Sequence, residues 1–108
     1  MKRIEKLKVI RDALLTVTAD TYHYTKAGEA DRYIIWAEDG EGNSIHADDH
    51  KIEQVITGTV DYYTPDDFDP AFDRIQQALA SYGIPFRFNS SQYEDETGLI
   101  HHEWVWEV

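Results

Sequence analysis

Apolar positions along the chain switch between spacings of three or four and a spacing of two. The first regime suits helices and the second suits half-buried strands. The most sharply punctuated stretch runs from Gly58 to Phe88. Val60 and Tyr62 alternate with Asp61 and Tyr63, as in a strand with one buried face. Thr64-Pro65 ends that strand, because Pro65 has no amide hydrogen for a ladder. Two helix starts then compete: Thr64 with Pro65 at the first helical position and Asp67 three residues on, or Asp69 followed by Pro70. A short turn before the main helix is compatible with both. Phe68, Phe72, Ile75, Leu79 and Tyr82 step by 4, 3, 4 and 3, which predicts one apolar face. Gly83 is placed for a left-handed C-cap, and Pro85 blocks continuation.

The same reading extends outward from this stretch. Ile4, Leu7, Ile10, Leu14 and Val17 predict a first helix over residues 3–16, its stripe widened by Val9 and Leu15. The β-branched run Thr16-Val17-Thr18 ends it. Thr21–Thr25 suits a short strand, and Lys26–Glu29 a turn. Arg32–Ala37 is apolar on both faces from Tyr33 onward, which predicts a strand inside the sheet. Glu38–Ser44 is polar and turn-rich, predicting a loop that extends through His46 to His50. Lys51–Tyr63 follows as a long strand, with Ile52, Gln54, Ile56, Gly58, Val60 and Tyr62 on one face. Gly58 in its middle predicts a bulge or a close approach of another backbone. A strand from Phe86 to about Tyr93, a hairpin loop Glu94–Gly98 and a return strand Leu99–Val108 complete the chain. On the return strand, Ile100, His102, Trp104, Trp106 and Val108 share a face, with the tryptophans as core. The expected architecture is α+β. A mostly antiparallel sheet of about five strands carries two helices on one face, in the order α-β-β-β-α-β-β, within a single domain over residues 1–108.

Composition narrows the function classes. A 108-residue chain with 42% hydrophobic and 13% aromatic residues can bury a modest core. The absence of cysteine excludes a disulfide scaffold and a thiolate metal site. No apolar run approaches the roughly 20 residues of a membrane span. The N-terminal residues lack the uninterrupted apolar core of a signal peptide. A formal net charge of −11 repels phosphate and argues against nucleic-acid binding. That charge is uneven: residues 1–12 carry +3 and the remainder −14. The basic segment is read first as a solvated face and second as a means of docking one copy on another. Under the second reading, Lys6, Lys8 and Arg11 would meet Glu41, Asp48 and Asp49 of a neighbour.

No catalytic signature is present, so neither enzyme chemistry nor a cofactor is expected. Asp66, Asp67, Asp69 and Asp73 crowd a helix N-terminus, which explains them without acid–base chemistry. His46, Asp48 and His50 would point one way in an extended chain and are suitable ligands for zinc or manganese. A solvated acidic loop is the reading preferred there. In His101-His102-Glu103, adjacent strand residues face opposite sides, so both histidines would not serve one ion.

The texture of four segments is similar to that of small tail terminator proteins (tail completion, head–tail joining) from phages and prophages of Gram-positive bacteria. These segments are YIIWAEDG at Tyr33–Gly40, HADDHKIEQVITGTVDYYTPDDFDP at His46–Pro70, IQQALASYGIPF at Ile75–Phe86 and QYEDETGLIHHEWVWEV at Gln92–Val108. The resemblance implies a virion structural subunit that is assembled in the bacterial cytoplasm and forms hexameric rings. Such a ring halts tail-tube polymerisation and meets the head connector, so its partners would be further copies, the tube protein and connector proteins. Two other readings stand beside it: a metal-binding or hydrolase-like domain using His46, Asp48 and His50, and an acidic module that binds a basic protein.

Overall fold

The computed structural model describes residues 1–41 and 55–108. It contains α1 (Arg3–Leu15), β1 (Thr21–His23), β2 (Tyr33–Glu41), β3 (Ile56–Thr64), α2 (Ala71–Ser81), β4 (Phe86–Glu94) and β5 (Leu99–Glu107). The strands form one sheet in the order β1-β2-β3-β5-β4. All pairings are antiparallel except β1 with β2. The expected α+β order of elements is the observed one. β2 is an interior strand, as its two apolar faces implied, while β3 holds the middle.

Both helices cover one face of the sheet. Ile10, Ala13 and Leu14 of α1 and Ile75, Ala78 and Leu79 of α2 share a buried cluster with Ile34, Trp36, Val60, Trp104 and Trp106. Trp104 also donates its indole N–H to Gln76 Oε1 on α2 at 2.9 Å. Residues of the opposite parity, such as Tyr33, Ile35, Asp61, Tyr63, His101 and Val105, are only half-buried on the face without helices. No described helix is long and apolar enough to cross a membrane.

Several local expectations are corrected. In α1 the buried positions are Ile10, Ala13 and Leu14, whereas Ile4 and Leu15 of the expected stripe stand largely in solvent. Strand β1 ends at His23, where Tyr24 takes a left-handed backbone, φ 74°. Glu38–Glu41, expected in a loop, continue β2 opposite Ile56–Gly58 past a bulge between Glu38 and Gly40. Gly58 itself is no bulge. An added Cβ there would lie 2.2 Å from the Trp106 ring and 2.3 Å from the Ala37 carbonyl oxygen, so close approach is what requires the glycine.

The start of α2 is set at Asp69, whose Oδ1 accepts the Ala71 amide at 2.8 Å. Pro70 already has helical angles, φ −66° and ψ −13°. The Thr64 hydroxyl serves the preceding turn instead, accepting the Asp66 amide at 3.1 Å. Both sequence signals are therefore used, one after the other. Phe68 and Tyr82, however, do not belong to the buried face: Phe68 is 94% exposed, and Tyr82 stands at the C-cap. Ala71 and Ala78 are buried in α2 together with Ile75 and Leu79.

Gly83 follows with φ 71°, and among the described residues nothing lies within 4 Å of an added Cβ. Gly83→Ala should therefore lower stability in urea unfolding by about 1–2 kcal/mol through backbone strain alone.

Candidate assembly surfaces

Among the described residues, three surfaces carry the exposed chemistry. The first is the outer side of α1. This helix starts where it does because the Glu5 side chain reaches back to accept the Lys2 amide at 2.9 Å. Lys8 and Arg11 lie on its exposed side, and Arg11 pairs with its neighbour Asp12 at 2.8 Å. Arg3 approaches Glu38 at 3.7 Å. Lys6 turns elsewhere, toward a groove beside Val9, Tyr82, Ile84 and Val108. The three basic residues expected to act together thus divide between two surfaces. Of their expected acidic partners, Glu41 closes β2, while Asp48 and Asp49 lie outside the described residues, as do His46 and His50.

The second surface is the sheet face without helices. Register builds it: Tyr33 pairs with Tyr63, and Tyr63 pairs with His101. Their rings stack in a row, 4.9 Å between the tyrosines and 4.4 Å from Tyr63 to His101. The Lys26 ammonium sits over the Tyr33 ring at 4.7 Å. At the other end of the row, His101 Nε2 lies 2.6 Å from Asp61 Oδ1, and Nδ1 lies 3.4 Å from Glu94. The hydrogen bond to Asp61 raises the His101 pKa against the opposing effect of burial. An imidazolium fits between the two carboxylates, with Nε2 donating to Asp61 and the charge of Glu94 close to Nδ1.

Asp61, His101 and Glu103 together place three donor atoms within 4.8 Å of one another. A divalent ion would have to displace the proton shared by His101 and Asp61. His102 points to the opposite face, as the strand period requires. There its Nδ1 meets Ser91 Oγ at 2.6 Å, and its ring stands edge-on to Phe72. Burial lowers its pKa. Sequence reading had paired His101 with its chain neighbours and missed Asp61, because cross-strand register brings Asp61 there from β3.

These opposite environments make a direct prediction. In an NMR titration, His101 should have its midpoint above the ordinary value of about 6.5 and His102 below it. The signs follow from linkage. The stabilisation from His101 is complete below its unfolded pKa and is lost as pH rises through its raised folded pKa. His102 destabilises the fold as pH falls below about 6.5, where the unfolded state binds the proton more readily.

The third surface is the turn between β3 and α2. Asp69 is almost fully buried. Its Oδ2 accepts the hydroxyls of Tyr62 and Thr64, each at 2.7 Å, and Arg32 approaches the same oxygen at 3.9 Å. Burial pushes the carboxyl pKa up, but the hydrogen bonds from Thr64, the Ala71 amide and Tyr62 outweigh it and hold it below the usual value. Arg32 also bonds Asp66. Between these two tethered aspartates the turn exposes Asp67 and Phe68, and Phe68 has a left-handed backbone, φ 59°. Sequence periodicity had assigned Phe68 to the core. The competing signal was the pair of helix-start motifs, which leaves Phe68 outside the helix if Asp69 is the cap.

No family model matches the sequence, and no curated protein matches it. By fold, the chain is similar to one from the virion of a native gene transfer agent particle, with a TM-score of 0.58 and 10% identity. The alignment covers 91% of this chain and 88% of that one. What the two chains share at that identity is the α+β architecture, over nearly the full length of both.

Proposed function

We propose that this chain is a non-enzymatic structural subunit of a phage or prophage tail: a tail terminator that forms a ring, ends tube polymerisation and joins tail to head. The observation that carries this reading is the near full-length fold similarity to a chain of a gene transfer agent virion. The sequence texture at Tyr33–Gly40, His46–Pro70, Ile75–Phe86 and Gln92–Val108 supports it independently. The acidic balance is compatible with a virion component past which DNA must slide without sticking.

The mechanism is steric. One ring face fits the last ring of the tube. The other does not reproduce a tube surface, so elongation stops there. The ring is a hexamer assembled in the bacterial cytoplasm, with the tube protein and the head connector as its further partners. On the outer side of α1, Lys8 and Arg11 contribute the basic side of one contact between neighbours, with Glu41, Asp48 and Asp49 as the acidic side, while Lys6 borders the groove of a second contact.

Two measurements test the reading. Deleting the gene from its phage should give tails of uncontrolled length, and the purified protein should bind the ends of isolated tail tubes in negative-stain images. Tails of normal length together with unoccupied tube ends would overturn it.

A further inference from the structure

We infer that Phe68 is a knob that inserts into the groove between α1 and the C-terminal end of α2 on a second copy of the chain. The inference rests on the proposed ring and specifies the contact that builds it.

A phenylalanine that is 94% exposed on a left-handed backbone is disfavoured twice over. The turn nevertheless holds it there, through the buried Asp69 on one side and the Arg32–Asp66 pair on the other. The ring is therefore presented in one place, with little ordering left to do on docking. Tyr93, 64% exposed, borders a shallow depression with Pro65 and Asp67 at the same end of the sheet.

The receptor lies at the other end. An open groove of about 460 Å³ is lined by Val9, Tyr82, Ile84, Pro85 and Val108, with Lys6 on its rim. Its apolar walls suit a phenyl ring. Register fixes the separation of the two features. Thr64, just before the knob, pairs with Ile100. Ile56 exchanges backbone hydrogen bonds with Val108 in the groove. The nine residues of β3 between these ends span about 26 Å.

Charge selects the same pairing. The knob is flanked by the exposed carboxylates of Asp66 and Asp67. The groove carries Lys6 on its rim, a cation of the sign that suits Asp67. Glu107 also lines the groove and opposes Lys6 in sign. Complementary features at opposite ends of one subunit make a heterologous contact, which closes into a ring when the rotation between neighbours permits.

The chain has no cysteine, so introduced thiols report contacts without background. Asp67→Cys and Tyr82→Cys variants, mixed at equal concentration and oxidised, should form the mixed disulfide in preference to either homodimer. An Asp67→Cys and Glu96→Cys mixture, which pairs two residues at the knob end, should not. Adding Phe68→Ser should weaken the association by about 30-fold or more, the effect of losing an interface anchor. Its thermal unfolding should stay unchanged because the ring touches little within its own chain. Phe68→Tyr, which keeps an aromatic ring, should retain most of the yield.

A mixed-disulfide yield no higher than the Glu96→Cys control at any concentration overturns the inference, as does a yield that Phe68→Ser leaves unchanged. So does loss of tube binding in Phe68→Ser without any disulfide between copies, which would assign the knob to the tube protein. A knob-dependent disulfide in a protein that never binds tail tubes would keep this contact and remove the tail role. Tube binding without the disulfide would do the reverse.

Discussion

Gly58→Ala is expected to cost at least about 3 kcal/mol, enough to leave a domain of ordinary stability close to unfolding at room temperature. The new methyl would overlap two groups that cannot move aside cheaply. The Ala37 carbonyl oxygen, 2.3 Å away, belongs to the backbone of the adjacent interior strand. The Trp106 ring, 2.2 Å away, is buried in the core beneath the helices. Relief would require opening the β2–β3 ladder or expelling an indole that is 2% exposed. Gly40→Ala is the matched control. Gly40 is exposed, and among the described residues an added Cβ there would meet only the Thr57 hydroxyl, at an ordinary 3.7 Å. Its effect should stay within about 0.5 kcal/mol. Urea unfolding of both variants followed by tryptophan fluorescence checks the pair. Equal effects would mean that the approach of Trp106 to Gly58 is not a constraint on the fold.

Gly58 also marks how far the sequence could be read. A glycine in the middle of an alternating strand signals that something comes close, and something does. What approaches is a carbonyl from β2 and a side chain from β5, and neither can be located without knowing which strands are neighbours. The same limit recurs elsewhere. Element types and their order were legible because periods of two and of three to four are written locally. The bulge at Asp39 was not: the acidic, glycine-containing run Glu38–Glu41 has turn composition, yet pairing with Ile56–Gly58 keeps it in the sheet. Tertiary pairing overrode local preference there.

The surfaces were less legible than the fold, for the same reason. The Asp61–His101–Glu94 cluster joins three strands and depends on register alone. Phe68 shows a different failure. Its spacing from Phe72 and Ile75 is helical, so periodicity assigns it to the core, but the helix begins after it. An apolar residue just before a helix cap carries two meanings that spacing cannot separate. Here the buried aspartate that follows decides between them.

That aspartate carries the second large effect. Asp69→Ala should destabilise the protein by about 3–5 kcal/mol, because three donors lose their acceptor together: the Tyr62 and Thr64 hydroxyls and the Ala71 amide. Tyr62 and Thr64 are 2% and 0% exposed, so water does not readily replace the carboxylate. Asp69→Asn should cost less, about 1–2 kcal/mol. Its carbonyl oxygen can keep the Ala71 amide, while both hydroxyls can rotate to accept from its NH₂ group.

The two variants separate further in acid. The Asp69 pKa is lowered by its bonds, so its stabilisation is present above the unfolded value of about 3.9 and is lost as pH falls through the folded value. The wild type should therefore lose stability across that window, whereas Asp69→Asn should show a flatter acid limb. Because the same carboxylate fixes the turn, loosening it should release Phe68 from its left-handed backbone, whose cost is about 1–2 kcal/mol. Asp69→Asn should then lower the mixed-disulfide yield between Asp67→Cys and Tyr82→Cys copies, even with the Phe68 ring intact. An unchanged yield would mean that the ring docks without needing to be held in advance.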